Sequence, residues 1–441
     1  GLYRSSGCSS CHVVYDKLGD YQGDDPTIQR GSPVHPKRHE ITTAIPAEQC
    51  ATCHFQGGRI GLLFRGIREG GFNAALTPPN AETIDETLYG HAPGYYITDE
   101  DTTNSVDETP PDAHFAAGMH CVDCHVGRDV HGDGRIYSSS KGQVTLRCED
   151  CHGDARAPAR PDDDGVFRSY KGNELKQLAF REGQVVLAGR LSGRSHVVPQ
   201  PAEILASGSP SDAMIRAMAP DGKDWSHTDS LTCDTCHTSH VQYCIGCHVS
   251  MDLRLDQTDY QTGTETPGLT RGGRSTFSLE HLLLGTAPDG RVQTVHPSQQ
   301  LQLTIVGSAD YNTGDGELLW GGLVDNGDAG IQQRGEFREA HGFASNNGFA
   351  PLFQHTTTAN ARRCQECHRS ADTPEELARV RGIYGFGTGE FMLQGADGVM
   401  VDGLQFLDEQ GNDTTTWHHP NTGPVSADRR QRALDVIVNV P

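Results

Sequence analysis

Apolar residues are scarce in this sequence. Hydrophobic residues make up 35% of it and aromatic residues 7%, and its mean hydropathy is −0.54. An ordinary chain this polar would struggle to bury enough apolar surface to offset the conformational entropy that it loses on folding. No apolar run reaches the length of about 18 residues that a transmembrane helix needs, so none is expected. We therefore expect something other than apolar side chains to supply much of the core.

Basic residues are also few. The sequence has 36 Lys and Arg residues against 58 Asp and Glu residues, which gives a formal net charge of −22 at pH 7. A strongly acidic chain is repelled by phosphate backbones and by anionic lipid surfaces. Nucleic acid and anionic membranes are therefore not expected as partners, and solubility is the simplest reason for the acidity.

No cysteine is left over once one motif has been counted. Cys-x-x-Cys-His occurs seven times and accounts for all 14 cysteines, so none remains for a disulfide, a free thiol or a separate metal site. This motif is the attachment signature of c-type haem. The cysteines of the first to seventh motifs are Cys8 and Cys11, Cys50 and Cys53, Cys121 and Cys124, Cys148 and Cys151, Cys233 and Cys236, Cys244 and Cys247, and Cys364 and Cys367. The histidines predicted to bind haem iron from the proximal side are, in the same order, His12, His54, His125, His152, His237, His248 and His368.

The spacing of the motif has a physical reason. Two cysteines three residues apart lie on one side of a helical turn, so both thiols can reach the two vinyl groups at one edge of a porphyrin. The histidine directly after them can then bind the iron axially. Paired Cys-x-x-Cys knuckles also make tetrahedral zinc sites, but zinc does not require a histidine directly after the second cysteine. We therefore expect seven haem c groups rather than zinc or disulfides.

Seven haems would also resolve the shortage of apolar residues, because each brings a large apolar disc for the chain to wrap. A length of 441 residues divided by seven gives one haem for every 63 residues, so the haems themselves would be the core. We predict a multihaem cytochrome c fold, mostly loops and turns with short helices and few short strands wrapped around a chain of haems. Cys233 and Cys244 are only 11 residues apart, so their two rings are expected to lie nearly in contact.

Each iron needs a second axial ligand, and histidine is the abundant candidate. Of 22 histidines seven belong to motifs, which leaves 15, whereas only six methionines occur and none follows a motif as in a Met-ligated cytochrome. Bis-histidine ligation closes both faces of the iron and favours electron transfer over catalysis. The predicted distal ligands are His39, His114, His120, His131, His196, His227 and His355.

The other histidines are weaker candidates. His35 is the reserve for His39, and His240 is equally expected to bind iron or to pack against a ring. His91 is expected at the surface or beside a haem propionate. The sequence does not rank His281, His296, His341, His418 and His419, of which the last two could also bind metal adventitiously.

Local signals between the motifs predict a few regular elements. GQVVLAGRL and LQLTIVG each suggest a short strand. SDAMIRAMAP suggests a short helix capped by Ser211. TPEELARVRG predicts a helix with a capping box of Thr373 and Glu376, with Pro374 at its first position and Gly382 at its end.

The motifs divide the chain unevenly. Residues 1–252 form a predicted haem-rich part with six motifs, residues 253–354 a haem-poor insertion that could be β-rich, and residues 355–441 a C-terminal part with the seventh motif. An acidic turn of the insertion could hold calcium, although a solvated turn is the favoured interpretation. Its candidate donors are Asp325, Asn326 and Asp328.

Several segments resemble the large multihaem c-type cytochromes of metal-reducing and related bacteria. They are HEITTAIPAEQCATCH, GMHCVDCHVGRDVHGDG, HTDSLTCDTCH followed by CIGCH, and QHTTTANARRCQECH. The resemblance covers most of the chain apart from parts of 61–113 and 253–340. It implies low-potential bis-histidine haems, stacked in alternating parallel and T-shaped pairs, that move electrons to extracellular acceptors. Some members form filaments, the cytochrome nanowires, in which a neighbouring subunit sometimes donates a distal histidine.

The favoured function is electron transfer through seven bis-histidine haems in extracellular electron transfer, and the chain could be the subunit of a conductive filament. A multihaem reductase of nitrite, hydroxylamine or a sulfur oxyanion is one alternative. It would need an iron with an open face and acid–base residues beside it, and the Cys-x-x-Cys-Lys variant of nitrite reductases is absent. A monomeric periplasmic electron carrier is the other alternative.

The expected location follows from the cofactor. Haem c is attached outside the cytoplasmic membrane, so a cleaved leader is implied. We expect an extracellular or cell-surface protein, with the periplasm as the alternative. The expected partners are other copies of the chain, other redox proteins and an extracellular electron acceptor. The acidic surface would suit basic redox partners or mineral surfaces.

Overall fold

The computed structural model describes part of the chain. The described residues are 7–15, 21, 23–28, 37–54, 60–66, 68–69, 82–83, 96–98, 100–101, 106–107, 110–137, 140–207, 209–218, 227–239, 241–279, 282–297, 301–306, 323–325, 331–333, 349–351, 355–383, 393–394, 400–401, 423 and 425–438. For several strand residues, among them 241–254 and 271–279, the description covers the backbone alone.

The chain divides into two compact units. The first comprises Gly1–Glu69, Asn80–His240 and Phe353–Arg362, and it holds the first five motifs. The second comprises Gly70–Pro79, Val241–Leu352 and Arg363–Pro441, and it holds the sixth and seventh motifs. The division therefore falls just before the sixth motif, which the sequence grouped with the first five.

The described helices are short, between four and ten residues. They are α1 (Cys8–His12), α2 (Ala47–His54), α3 (Ile60–Leu63), α4 (Ala113–Ala116), α5 (Cys121–Cys124), α6 (Gly127–His131), α7 (Ser140–Gln143), α8 (Cys148–His152), α9 (Pro201–Ala206), α10 (Asp212–Met218), α11 (His227–Ser230), α12 (Cys233–Cys236), α13 (Cys364–Cys367), α14 (Pro374–Ile383) and α15 (Ala427–Asp435).

Six of the seven motifs carry their cysteines on a helical turn, as their spacing predicts: α1, α2, α5, α8, α12 and α13. In three of these turns an acidic residue stands just before the second cysteine and caps the helix. The side-chain oxygens of Asp123, Asp150 and Glu366 accept the backbone N–H three residues earlier, at 2.8 Å each. This bond satisfies an N–H that the first turn would otherwise leave without a partner, and it explains how so short a helix stays formed.

The sixth motif differs, and here the prediction of a helical turn is wrong. Cys244–His248 lies within a strand, β9 (Val241–Asp259), which pairs with β10 (Thr264–Leu279) in an antiparallel hairpin. The physical reason lies in the neighbouring residues, because Val241, Tyr243 and Ile245 favour extended backbone. A strand repeats every two residues and lacks the turn that brings positions three apart to one side.

The remaining strands are mostly short. They are β1 (Arg68–Glu69), β2 (Glu82–Thr83), β3 (Tyr96–Thr98), β4 (Glu100–Asp101), β5 (Val106–Asp107), β6 (Leu178–Arg181), β7 (Gln184–Ala188), β8 (Ser195–Val197), β11 (Leu284–Thr286), β12 (Val292–Pro297), β13 (Leu301–Val306), β14 (Leu323–Asp325), β15 (Ile331–Gln333), β16 (Phe349–Pro351), β17 (Leu393–Gln394) and β18 (Met400–Val401). The largest sheet has the order β10-β9-β13-β15-β14 and belongs to the second unit. In it β13 runs parallel to β9, and the other neighbours are antiparallel.

Most local predictions agree with the structure. GQVVLAGRL contains β7, LQLTIVG contains β13, and SDAMIRAMAP contains α10, whose Met214 N–H donates to the Ser211 hydroxyl at 3.1 Å. Helix α14 begins at Pro374 and is capped by Thr373, as predicted. It continues one residue past Gly382, however, and the Glu376 carboxylate accepts the Ser370 N–H at 2.8 Å. That bond extends the cap toward the seventh motif.

The three-stranded sheet β6-β7-β8 covers the apolar core of the first unit. Inward and outward residues alternate along β7, with Val185 and Leu187 buried. They pack in one cluster with Phe167 and Leu175, and the partly buried Cys124 and Cys151 lie against the same cluster. The apolar side chains thus back onto the third and fourth motifs.

Replacing Leu175 by alanine is expected to lower the free energy of unfolding by about 2–5 kcal/mol, because a fully buried leucine leaves a cavity. Leu175 is 1% exposed. Leu191→Ala is the matched control, since Leu191 is 38% exposed and surface changes stay within about 0.5 kcal/mol. Denaturant unfolding followed by circular dichroism measures both. Equal losses for the two variants would contradict this assignment of the core.

Candidate functional site

The histidines of the motifs share one hydrogen-bond arrangement. The Nδ1 atoms of His12, His152 and His237 lie 2.8, 2.9 and 3.0 Å from the backbone oxygens of Thr42, Pro199 and Thr358. In the second unit His368 Nδ1 lies 3.2 Å from the Ala433 oxygen. A carbonyl oxygen can only accept, so Nδ1 carries the proton and Nε2 keeps its lone pair. This is the tautomer and orientation that imidazole takes when Nε2 binds a metal.

Three motif histidines each face a second imidazole ring in the first unit. The ring centres of His12 and His131 are 5.9 Å apart, those of His125 and His355 are 6.2 Å apart, and those of His152 and His114 are 6.2 Å apart. The second member of each pair belongs to the predicted distal set. The first, third and fourth motifs therefore each have a candidate partner: His131, His355 and His114.

The spacing of these pairs agrees with the size of an axially ligated iron. Two imidazole nitrogens at about 2.0 Å from one metal, with each ring centre about 1.2 Å behind its nitrogen, would put the ring centres about 6.4 Å apart, slightly more than the separations of these pairs. In the described part of the chain, no three His, Cys, Asp or Glu side chains come close enough to hold an ion by themselves. Two imidazole rings at such a separation would fit a group that brings its own equatorial ligands, as a porphyrin does.

A buried carboxylate holds His114. Asp112 Oδ1 lies 2.9 Å from His114 Nδ1 and accepts the His114 backbone N–H at 2.9 Å, while Oδ2 accepts the Thr357 N–H at 2.7 Å. Burial raises the pKa of Asp112, but its hydrogen bonds and the charge of His114 outweigh this, and the pKa lies below its usual range. Asp112 is thus a buried anion that fixes the His114 ring. Through Thr357 it also anchors the segment that contains His355.

A second carboxylate lies behind His125. Asp129 Oδ2 lies 3.5 Å from His125 Nδ1, and the Thr145 and Val126 N–H groups donate to this carboxylate at 2.9 and 3.3 Å. Burial raises the pKa of Asp129, but the interactions with His125 and Thr145 lower it by a larger amount. The pKa of Asp129 is therefore below its usual range. The third and fourth motifs therefore each have one histidine bonded to an anion, whereas the first and fifth motif histidines bond to carbonyls.

Cysteines of the second and third motifs, and of the fourth and fifth, lie close enough for one to affect the pKa of the other. The interaction with Cys50 and, to a smaller extent, burial raise the pKa of Cys121. The second and third motifs are therefore neighbours. The interaction with Cys233 and, to a smaller extent, burial raise the pKa of Cys148. The fourth and fifth motifs are therefore neighbours as well. Cys148 is nevertheless exposed to solvent.

The third and fourth motifs also approach each other. Burial raises the pKa of Cys124, and the charge of Cys151 adds to the effect. Burial also raises the pKa of Cys151, to about 12. These sulfurs are neutral at physiological pH, as suits atoms that lie against an apolar group.

A buried glutamine connects the first two motifs. Gln49 Nε2 donates to the backbone oxygens of Ser10 and Val13 at 2.6 and 3.2 Å. Gln49 directly precedes Cys50, and Ser10 lies within α1. Together with the sulfur contacts, this bond makes each of the first five motifs a neighbour of the next. The motifs of the first unit therefore form a row in sequence order.

The other four distal candidates lie in different surroundings. His196 lies in β8, and its Nε2 is buried with no hydrogen-bond partner among the described residues, as expected of a nitrogen reserved for a metal. The His39 ring lies 5.8 Å from Tyr21, and His227 begins α11. His120 differs from the others, because its Nδ1 accepts the Ala47 N–H at 3.1 Å. That bond puts the ring proton on Nε2, so iron ligation there would require a change of tautomer. The ligand roles of all four stay predictions.

Several predicted residues lie outside the described residues or have only their backbone described. The sixth motif, His296 and Asp325 belong to strands with backbone descriptions alone. The residues outside the description are His35, His91, His240, His281, Asn326, Asp328, His341, His418 and His419.

Sequence reasoning missed the residues that hold the histidines in place. Asp112 and Asp129 are two among 58 acidic residues, and Gln49 is an ordinary polar residue beside a motif. One signal was available: Asp112 stands two residues before His114, and Asp129 four residues after His125. A carboxylate at such short spacing from a suspected ligand can reach its free ring nitrogen.

Comparisons with known proteins add no assignment. The chain matches no family model, no curated protein and no solved structure. Among the described helices, none has the length and apolar character needed to cross a membrane. The interpretation of the site therefore depends on its own geometry.

Proposed function

We propose that the protein transfers electrons, and that its motifs bind seven haem c groups as bis-histidine centres. When bound, such a group supplies a reversible one-electron couple between ferric and ferrous iron. The motif cysteines would hold each group covalently at one edge, and the motif histidine would bind from the proximal side. In the first, third and fourth motifs the distal position would fall to His131, His355 and His114.

The observation that carries the proposal is the set of three imidazole pairs with ring centres 5.9 to 6.2 Å apart. Each pair joins a motif histidine to a histidine that is distant in the sequence, so chance neighbours along the chain do not explain it. The Nδ1 bonds of His12, His125 and His152 hold these rings in place. A ring that is already held in place would change its position little when the bound iron changes its oxidation state. Small changes in position favour fast electron exchange.

The row of motifs in the first unit supports transfer over distance. Cys50 lies close enough to Cys121 to affect its pKa, and Cys233 lies close enough to Cys148 to affect its pKa. Sulfur atoms at the edges of adjacent motifs would bring the attached groups within a few atoms of each other. Electron transfer depends steeply on separation, so edges in contact favour a conducting row over isolated centres.

The facing imidazoles also bear on the reductase alternative. An enzyme of that kind needs one axial position open to substrate. In the three pairs each side of the gap has its own histidine, which favours electron transfer at these centres. Because haem c is attached outside the cytoplasm, the proposal includes an extracellular, cell-surface or periplasmic location. Assembly into a filament stays a prediction of the family resemblance.

The test is a count of bound haem and a reaction with external ligands. The protein, produced in a host that attaches haem c, is expected to have the mass of the chain plus seven haems, to titrate reversibly, and to bind neither cyanide nor carbon monoxide. Cys364→Ala with Cys367→Ala should lower the count to six. A colourless protein with the mass of the bare chain would refute the proposal, and ligand binding by the native protein would favour the reductase.

A further inference from the structure

Two of the histidines in the first unit bond to carboxylates, and both belong to the middle of the row of motifs. His125 of the third motif faces Asp129 at 3.5 Å, and His114, which faces His152 of the fourth motif, bonds Asp112 at 2.9 Å. The motif histidines of the first, fourth and fifth motifs, His12, His152 and His237, bond to backbone carbonyls. The third and fourth centres would thus each have a carboxylate beside one of their two histidines, His125 and His114.

Both carboxylates are held independently of the imidazoles. The Asp112 side chain is 3% exposed and accepts backbone N–H groups from His114 and Thr357. The Asp129 side chain is 4% exposed and accepts backbone N–H groups from Val126 and Thr145. An anion that is buried and fixed in this way cannot turn away to water, so its charge acts on the ring beside it in either oxidation state.

A carboxylate affects an axial imidazole more strongly than a carbonyl does. A full negative charge that accepts the Nδ1 proton makes Nε2 a better electron donor, whereas a carbonyl contributes only a dipole. A more basic ligand stabilises ferric iron over ferrous iron, and low surrounding polarity strengthens the effect. The reduction potential at such a centre is therefore lower.

We propose that Asp112 and Asp129 lower the reduction potentials of the fourth and third haem centres below those of the first and fifth. This inference rests on the proposed function. It gives the five-motif row low-potential centres in its middle and higher-potential centres at its ends. Electrons would reside at the ends of the row and cross the middle as the slow step. Asp112 and Asp129 are positioning residues, since they act through His114 and His125.

The experiment compares three single substitutions in the full haem-loaded protein. Asp112→Asn and Asp129→Asn are each expected to move one haem equivalent from the most negative step of a redox titration to a less negative one. Each should also change the paramagnetic resonance signature of one centre. Asp162→Asn is the control: Asp162 lies outside the motifs, and its carboxylate accepts the backbone N–H groups of Asp164 and Val166. A much smaller shift is expected there.

A measurement on the wild-type protein keeps the test independent of how the variants fold. The haem-methyl resonances lost in His114→Met and His355→Met assign the fourth and third centres, and these are expected to be reduced after the first and fifth. If they are reduced earlier, or if Asp162→Asn shifts the titration as much as the other two, the inference is overturned. If no haem is attached, the proposed function itself fails, so the two failures are distinguishable by mass.

Discussion

Replacing His355 by alanine is expected to turn one of the seven haems, that of the third motif, into a high-spin centre. His355 is the ring that faces His125 at 6.2 Å, with the two ring planes 18° apart. Its removal would open one axial face, and external ligands could then bind there. Carbon monoxide or cyanide should bind to about one haem per chain, and paramagnetic resonance should show one high-spin ferric signal beside six low-spin ones.

Two companion measurements separate loss of a ligand from loss of packing. Phe64 touches His355 edge-on, with ring centres 6.3 Å apart, so the alanine variant also loses an aromatic contact. Added imidazole should restore the low-spin spectrum of His355→Ala, which a packing defect would not allow. His355→Met should stay six-coordinate with a His/Met spectrum. An alanine variant with an unchanged low-spin spectrum would show that His355 is not a ligand.

The helical turns of six motifs could be predicted from the sequence because each motif lies in contiguous residues. A motif such as Cys121 to His125 contains its own helical turn, both sulfurs and the proximal imidazole, so spacing alone identifies it. The pool of distal candidates followed from the number of histidines in excess of the motifs. Capping residues such as Ser211 and Thr373 were equally local, and both lie where they were predicted.

The pairing of histidines could not be predicted, because it depends on contacts between distant parts of the chain. His131 follows the third motif but faces His12 of the first, and His114 precedes the third motif but faces His152 of the fourth. No local periodicity encodes such crossings. In the sixth motif, long-range pairing overrides a local pattern. The spacing at Cys244 predicts a helical turn, but the residues around it pair with β10, so the motif lies in a strand.

Removing the third motif is expected to slow electron passage from the first motif to the fourth by several orders of magnitude. Cys121 lies close enough to Cys50 of the second motif, and Cys124 close enough to Cys151 of the fourth, for the neighbouring sulfur to raise the pKa of each. The third haem would therefore connect the second haem to the fourth. Cys121→Ala with Cys124→Ala removes its attachment and leaves a gap that electrons must cross in one long step.

The measurement needs an injection point and a reporter. Ile41→Cys provides the first, because Ile41 is 72% exposed and adjoins Thr42, whose carbonyl faces His12. With all 14 native cysteines in thioether bonds, the new thiol would be the one site for a photosensitiser label. His114→Met provides the reporter, since a His/Met centre at the fourth motif absorbs differently from the bis-histidine centres.

A variant of the seventh motif is the control, because it loses one haem without removing a motif from the row. Cys364→Ala with Cys367→Ala also lowers the haem count by one, but these cysteines belong to the second compact unit and are not part of the five-motif row of the first. After a light pulse, the reporter at the fourth motif should be reduced as fast in this variant as in the parent protein, and far more slowly in the variant without the third motif. If arrival is equally fast in both, electrons bypass the third motif, and sulfur contacts between consecutive motifs do not mark the path.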